Sequence, residues 1–451
     1  MVAEWIAAEF ASLNLQHRRR NNRAQALIQR MSEHPSGSIK HSFTQPAEWK
    51  AAYRFLSSEA FDTAALEAAL QAACLHRCAE HDLVLAVQDT TELTLQSPAL
   101  AAENHQLWVH TTLAVSPQGV PLGLLHQQRW TRSRAQPPGA ASRRRRPLEA
   151  KESHRWIAAR QAVEARFAPA QTVLTVADRE ADLFELFALP RPQNSELLIR
   201  AARNRRVHAE EKHLFEAIAA APVTGYLQVQ LRRHPNRPPR LARLEIRVRE
   251  LQWHRPQNGR HAPDLPEPTV TVIWARESGG APQEQPVDWL LLTTLPVADL
   301  EAACRCVRYY TLRWLVERYH YALKSGCGIE ASQLRSRGAL ERLLVLYSAV
   351  AWRLLWLTYE SRRDSGQPCT EAFSALEWQT LWALRHPGQP VPETPPPLGE
   401  VIRWLGRLGG HPDRRGDAEP GVKVLWRGLT RLQDIILGVQ LATPPRVLGN
   451  A

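Results

Sequence analysis

Residues 82–88 read Asp-Leu-Val-Leu-Ala-Val-Gln and run straight into Asp89-Thr90-Thr91. An apolar run this short and nearly unbroken is the pattern of a strand covered on both faces, because a half-exposed strand would alternate. A second such run, Thr172–Ala177, ends in Asp178. Two buried strands with a helical stretch, Lys151–Phe167, between them point to an α/β fold. In such folds ligand sites collect where strands end at their carboxyl side. Asp89 and Asp178 stand at those ends. A carboxylate there loses its water unless a cation replaces it, so the pair invites a metal ion. Taken singly, an aspartate after a strand more often opens a turn or caps a helix.

Outward from these strands the chain changes character several times. Residues 1–75 read as short helices, with a basic patch at His17-Arg18-Arg19-Arg20. Leu107–Val115 and Val120–Trp130 flank Ser116-Pro117-Gln118-Gly119, a hairpin signal. Arg132–Pro147 carries Arg143-Arg144-Arg145-Arg146 and no acid, and reads as an exposed basic loop. Residues 223–297 are β-rich, and Arg243, Arg247 and Arg249 recur at strand period, which predicts a basic sheet face. Two long helices are expected over roughly Val297–Lys324 and Ser336–Tyr359, then a proline-rich linker at Pro387–Pro397. A last helix over 422–440 aligns Leu425, Leu429, Leu432, Ile436 and Val439 in a stripe for a partner helix, in the same chain or in a dimer.

Composition narrows the function. The 451 residues hold 57 Lys and Arg against 45 Asp and Glu, a net charge of +12. Only six of the cations are lysine, which coding bias explains; the surplus over carboxylates it does not. A chain this basic usually meets a polyanion. The N-terminus shows no secretory signal pattern, and no apolar run reaches the length of a membrane span. The six cysteines include no Cys-x-x-Cys pair, so neither a zinc site nor a disulfide framework is supported. A cytoplasmic, nucleoid-associated protein without a membrane partner is expected.

The helix after residue 300 supplies a third carboxylate. At 100° per residue, Tyr310, Arg313, Glu317 and Lys324 fall within roughly 60° of one another, opposite Leu312, Leu315, Val316, Tyr319 and Leu323. An ordinary solvent face would satisfy that spacing equally well. One carboxylate among Tyr, Arg and Lys nevertheless suits a phosphate site with a metal ligand at its centre, since arginine and lysine neutralise phosphate oxygens.

Together, Asp89-Thr90-Thr91, Val176-Ala177-Asp178-Arg179-Glu180-Ala181-Asp182 and Tyr310-x2-Arg313-x3-Glu317-x6-Lys324 resemble the DDE transposases of cut-and-paste bacterial insertion sequences. The last motif is similar to the Tyr-Arg-Glu-Lys signature of one group. Trp49–Phe55, Trp108-Val109-His110, Gly123–Gln127, Leu408-Gly409-Gly410 and Leu425–Gly428 extend the resemblance along nearly the whole chain. It implies an α/β fold: an RNase H-like mixed-sheet core with an inserted β-rich domain, flanked by helical N-terminal and C-terminal domains. The divisions would be 1–75 for DNA binding, 76–222 for the first part of the core, 223–297 for the insert, 298–365 for the Glu-bearing helices and 366–451 for dimerisation.

The resemblance further implies that Asp89, Asp178 and Glu317 ligate two Mg²⁺ or Mn²⁺ ions. Tyr310, Arg313 and Lys324 would hold the phosphate at the transposon's 5′ end. Trp289 matches the tryptophan on which the family stacks a flipped base, and Arg200 a DNA-contacting arginine near it. Arg18, Arg19 and Arg20 would meet DNA from the N-terminal domain. The partners are double-stranded DNA, both transposon ends and target, and a second copy of the chain in a synaptic homodimer. The activity implied is end cleavage through a hairpin and joining of the 3′-OH to target; the alternatives are an end-binding relative without activity, or a simple metal nuclease. Two departures stand out: Asn14–Arg19 replaces the family's Gly-Asp-x-Arg-Arg, and Tyr321 replaces a lysine of a close relative.

Overall fold

A nine-stranded mixed sheet, in the order β3-β2-β1-β4-β5-β9-β8-β7-β6, runs through the computed structural model. The model describes residues 3–35, 39–40, 42–43, 45–103, 105–132, 147–231, 240–256, 265–278, 286–360, 366–414 and 419–442. The arginine run at 143–146 lies outside the described residues. The strands are β1 (Leu83–Thr94), β2 (Gln106–Val115), β3 (Pro121–Trp130), β4 (Thr172–Ala177), β5 (Ser195–Arg200), β6 (Val223–Leu231), β7 (Arg240–Gln252), β8 (Thr269–Glu277) and β9 (Asp288–Thr293). β4 pairs in parallel with β1 and β5; every other neighbouring pair is antiparallel.

The buried runs behave as their composition requires. Leu85, Val87, Leu174, Val176 and Leu198 face one core cluster. Val84, Ala86 and Val173, and farther along Ala177, Leu197 and Ile199, face clusters on the other side. Side chains alternate between faces, so a strand apolar at both parities needs cover on both sides. The hairpin at 116–119 closes β2 onto β3 with Gly119 at φ +90°.

The β-rich stretch extends the same sheet. β9 pairs with β5 (Leu198↔Thr293, Ile199↔Leu292), and β8, β7 and β6 continue outward from it. Of the arginines that the alternation assigns to an open basic face, Arg243 is exposed over the Tyr226 ring, but Arg247 and Arg249 turn inward. Arg247 donates to the carbonyls of Ala219 and Ala221 and pairs with Glu245; Arg249 donates to Ala217 and pairs with Glu211. These carbonyls end helix α7 (Leu214–Ala220) and carry its partial negative charge, which draws cations inward.

Four helices precede the sheet: α1 (Glu4–Glu9), α2 (Arg18–Glu33), α3 (Pro46–Leu56) and α4 (Thr63–Cys78). Between β3 and α7 come α5 (His154–Glu164) and α6 (Phe184–Ala188). After β9 the predicted single helix is two, α8 (Leu300–Thr311) and α9 (Trp314–Tyr321), followed by a wide turn at Ala322–Gly326. The break has a local cause. Thr311 turns its hydroxyl back onto the Arg308 carbonyl, and the next bonds tighten to three-residue steps (Leu315 N–H to Leu312, Val316 N–H to Arg313).

Helix α10 (Arg337–Glu360) is buried on almost every side, as an all-round apolar helix must be. Its Arg353 lies over Trp5 and Trp356 and donates to Ala372. Its Arg342 donates to Leu56 and Phe61, and Trp352 to Pro121. Helices α11 (Ala375–Arg385), α12 (Leu398–Leu408) and α13 (Val422–Ala442) close a smaller cluster around Leu357, Leu405, Leu425, Leu432 and Ile436. The predicted stripe on α13 is thus used within the chain from Leu425 to Ile436, while its last member, Val439, is exposed together with Leu437 and Leu441. α12 and α13 cross at glycines: a Cβ on Gly409 would collide with the Val424 carbonyl oxygen, and one on Gly428 with that of Leu405. No described helix is long and apolar enough to cross a membrane.

Candidate active site

The register of β1 against β4 assembles the site. Val87 pairs with Val176, so two residues on Asp89 and Asp178 come level and share the face of Leu85, Val87, Leu174 and Val176. Parallel pairing ends there, although β1 itself runs on to Thr94 beside β2. Asp178 leaves β4 and caps the short turn Arg179–Ala181, accepting from the Glu180 N–H at 2.9 Å. Leu315 and Val316 of α9 pack into the same apolar cluster, which carries Glu317 to the two aspartates.

The polar stripe around Glu317 is therefore not a solvent face. Tyr310 is 3% and Arg313 8% exposed, and Tyr310 belongs to the main core cluster. Arg313 donates to Glu317 at 2.6 Å, and its Nε is buried without a hydrogen-bond partner. Tyr310 meets Trp289 edge-on, with ring centroids 5.6 Å apart.

Burial raises the Asp178 carboxyl above its ordinary range; the Glu180 N–H and Arg313 oppose this, and the Asp89 charge adds to it. Burial likewise raises Glu317, against the pull of Arg313, with Asp89 and Asp178 both adding. Burial raises Tyr310, while Arg313 and Arg200 act to lower it. Three half-buried carboxylates beside Arg313, of which Asp178 and Glu317 are raised, are donors of the kind that a hard divalent cation takes. Among the described residues their oxygens do not all lie within 4.8 Å of one another.

The remaining expected residues fall at different places. Arg200 ends β5, donates to the Asp288 carbonyl at 2.9 Å and acts electrostatically on Tyr310; its Nε is buried without a partner. Trp289, on β9, lies beside Tyr310. Lys324 sits in the wide turn, and among the described residues no hydrogen bond or ion pair joins it to the carboxylates. Arg18 and Arg19 are exposed at the start of α2, where the His17 ring caps the helix by accepting from the Arg19 N–H. Arg20 spends its guanidinium on the carbonyls of Leu15 and Ala60.

Two neighbours of the carboxylates went unread in the sequence. His320 Nδ1 lies 3.7 Å from Asp89, and its buried Nε2 has no partner. It stands roughly 20° from Arg313 on the helical wheel that singled out Glu317, so that signal was available. Arg155 donates to Thr90 at 2.9 Å and pairs with Glu180; Thr90 in turn bonds His110. Nothing in spacing flags Arg155, which reaches the site from α5.

Comparison with known families places the chain. Models described as transposase DNA-binding, transposase DDE domain and transposase Tn5 dimerisation domain match residues 2–61, 145–354 and 349–446. The chain is a DNA transposase. The DDE match spans Asp178, Glu317, Tyr310, Arg313 and Lys324, while Asp89 precedes it. The DNA-binding match covers α1–α3, and the dimerisation match runs from the second half of α10 through α13. The transposase also has a distant likeness to a solved synaptic complex of piggyBac transposase with hairpin DNA. That likeness has 9% identity and a TM-score of 0.37, over 99% of this chain and 79% of the other.

Proposed function

We propose that the transposase is a cut-and-paste enzyme similar to that of the kanamycin-resistance composite transposon, with an RNase H-like core at β1–β5. Asp89, Asp178 and Glu317 would hold two Mg²⁺ or Mn²⁺ ions. The observation that carries this reading is the gathering of three half-buried carboxylates on one face, where the Asp89 charge adds to the raised pKa of Asp178, and Asp89 and Asp178 both add to that of Glu317. Such ions, when bound, activate an attacking oxygen and stabilise the leaving oxygen of a phosphodiester.

The chain's own groups bind and orient. The donor-only guanidinium of Arg313, buried beside Glu317, fits a phosphate oxygen arriving at the carboxylates and is freed for it if Glu317 turns to a cation. Tyr310 stays protonated under burial and so offers an O–H donor. Lys324 would add a cation to the same 5′ phosphate. Trp289, edge-on to Tyr310, would carry a base extruded while the freed 3′-OH attacks the opposite strand to close a hairpin, with Arg200 beside it. Arg18 and Arg19 would meet end DNA, with Arg20 setting the segment that carries them. Two chains would join through the C-terminal region, each cleaving an end and joining it to target DNA.

The test uses duplex DNA carrying the element's terminal sequence, with Mn²⁺. Nicks, hairpins and joined products are expected from the wild-type chain. Asp89→Ala, Asp178→Ala and Glu317→Ala should abolish all three while end binding survives. Binding without nicks in the wild type would support a binding-only relative, and nicks without joined products a simple nuclease.

A further inference from the structure

Away from the carboxylates, His208, His254 and Glu267 bring three ligand atoms within 4.8 Å of one another, the one such group among the described residues. His208 Nε2 lies 2.8 Å from Glu267 Oε2, and His254 Nδ1 3.8 Å from Glu267 Oε1. The two imidazoles face each other at 3.6 Å between centroids. We propose that these residues form a second metal site, for a zinc-class ion, which clips the β7–β8 connection to the segment before α7.

Three backbone strands already hold the donors in place. Val207 bridges Trp253, the His208 N–H donates to Gln252, and the His254 N–H donates to Arg206. The Trp253 N–H donates to Pro268, and the Arg255 N–H to Glu267 Oε1 at 2.7 Å. Beneath them Val207 and Trp253 are buried at 2% and 0% exposure, so the frame is anchored in the core while the ligand tips are not. Ligands placed by the backbone lose little freedom on binding.

The donor chemistry selects the ion. Two imidazoles and one carboxylate suit zinc and its neighbours, whereas Mg²⁺ takes oxygen ligands. Bonds of about 2.0–2.1 Å in a tetrahedron put ligand atoms about 3.3 Å apart, between the two separations seen here. The fourth position opens to water, since the His208 and His254 side chains are 42% and 33% exposed. An ion here would close the connection that leaves β7 at Gln252 and returns through Glu267. This proposal rests on no part of the DNA-cleavage reading.

The test uses the full chain as Asp89→Asn/Asp178→Asn, so that zinc at the carboxylates does not obscure the count. The protein is stripped with chelator and titrated with Zn²⁺ against a chromophoric competitor, with excess Mg²⁺ present. One ion per chain is expected, and Co²⁺ in its place should give visible absorption of a tetrahedral site. Adding His208→Ala and His254→Ala should remove that ion or weaken it by at least about tenfold, the smallest loss that even an outer partner's removal brings. Glu267→Gln, close in size, should weaken it similarly and guards against misfolding of the double variant. No zinc bound, or zinc bound equally after these changes, overturns the proposal.

Discussion

The transposase gathers side chains of the kinds that ligate metal ions in two regions, and the two are built in opposite senses. Asp89, Asp178 and Glu317 come together because apolar packing forces strand ends and a helix onto one face, at an electrostatic cost that burial enlarges. His208, His254 and Glu267 come together because backbone bonds join three connecting segments near the surface, and their contacts favour one another. Burial raises Asp178 and Glu317 in the first. In the second, the N–H of Arg255 and the ring of His208 lower Glu267. The first region resembles a reactive site held in strain by the rest of the molecule, the second a fastening.

The sharpest break of this comparison is loss of chemistry. Glu317→Gln should cut nicking by about a thousandfold or more, the scale of losing several kcal/mol of charge stabilisation, with end binding intact. His208→Ala should leave nicking within about twofold, measured on the same DNA. A similar collapse in both would erase the distinction.

Arg313→Lys should lower nicking by about tenfold to a hundredfold, because a point charge cannot replace the fork that spans Glu317 and a phosphate. Single-turnover rates at saturating DNA would separate this from weaker binding.

Stability gives the opposite ranking. Asp178 has a raised pKa in the fold, so its favourable contribution belongs to the protonated form, below the unfolded value, and is lost as pH rises through the folded one. Asp178→Asn should therefore raise the melting temperature of metal-free protein at pH 7, by about 1–3 °C. The gain should vanish below the unfolded carboxylate range. Glu267 is lowered, so its contribution is present above the unfolded value and fades as pH falls through the folded one. Glu267→Gln should lower the neutral-pH melting temperature slightly and leave the acid one unchanged. Scanning calorimetry at pH 7 and at low pH reads both signs. Equal signs would show that the two regions do not differ in kind.

The first region was legible because its residues end strands and share a helical period, patterns that survive in sequence. Even there the wheel put Tyr310 and Arg313 on an outer face. It assumed a straight helix, whereas the Thr311 hydroxyl breaks the ladder. The second region left no trace. Its ligands sit in turns far apart in the chain, and the cysteine count argued against zinc. Charge was legible in sum and not in use: Arg247 and Arg249 serve helix-end carbonyls, and Arg20 serves a loop. Gly409 and Gly428, read only as points of resemblance, prove to be where two helices touch backbone to backbone.

Helix α10 has a consequence for how the molecule is made. The hydrophobic faces of α2, α3 and α4 close around it, and Arg342 ties the α3–α4 connection to it. A ribosome completes α4 long before it completes α10. At about 5–20 residues per second, the wait from Cys78 to Glu360 is roughly 15–60 s. Through that interval the emerging N-terminal helices lack the element that covers them, so the DNA-binding end of the chain reaches its final form only when the Glu317 helix has already been synthesised.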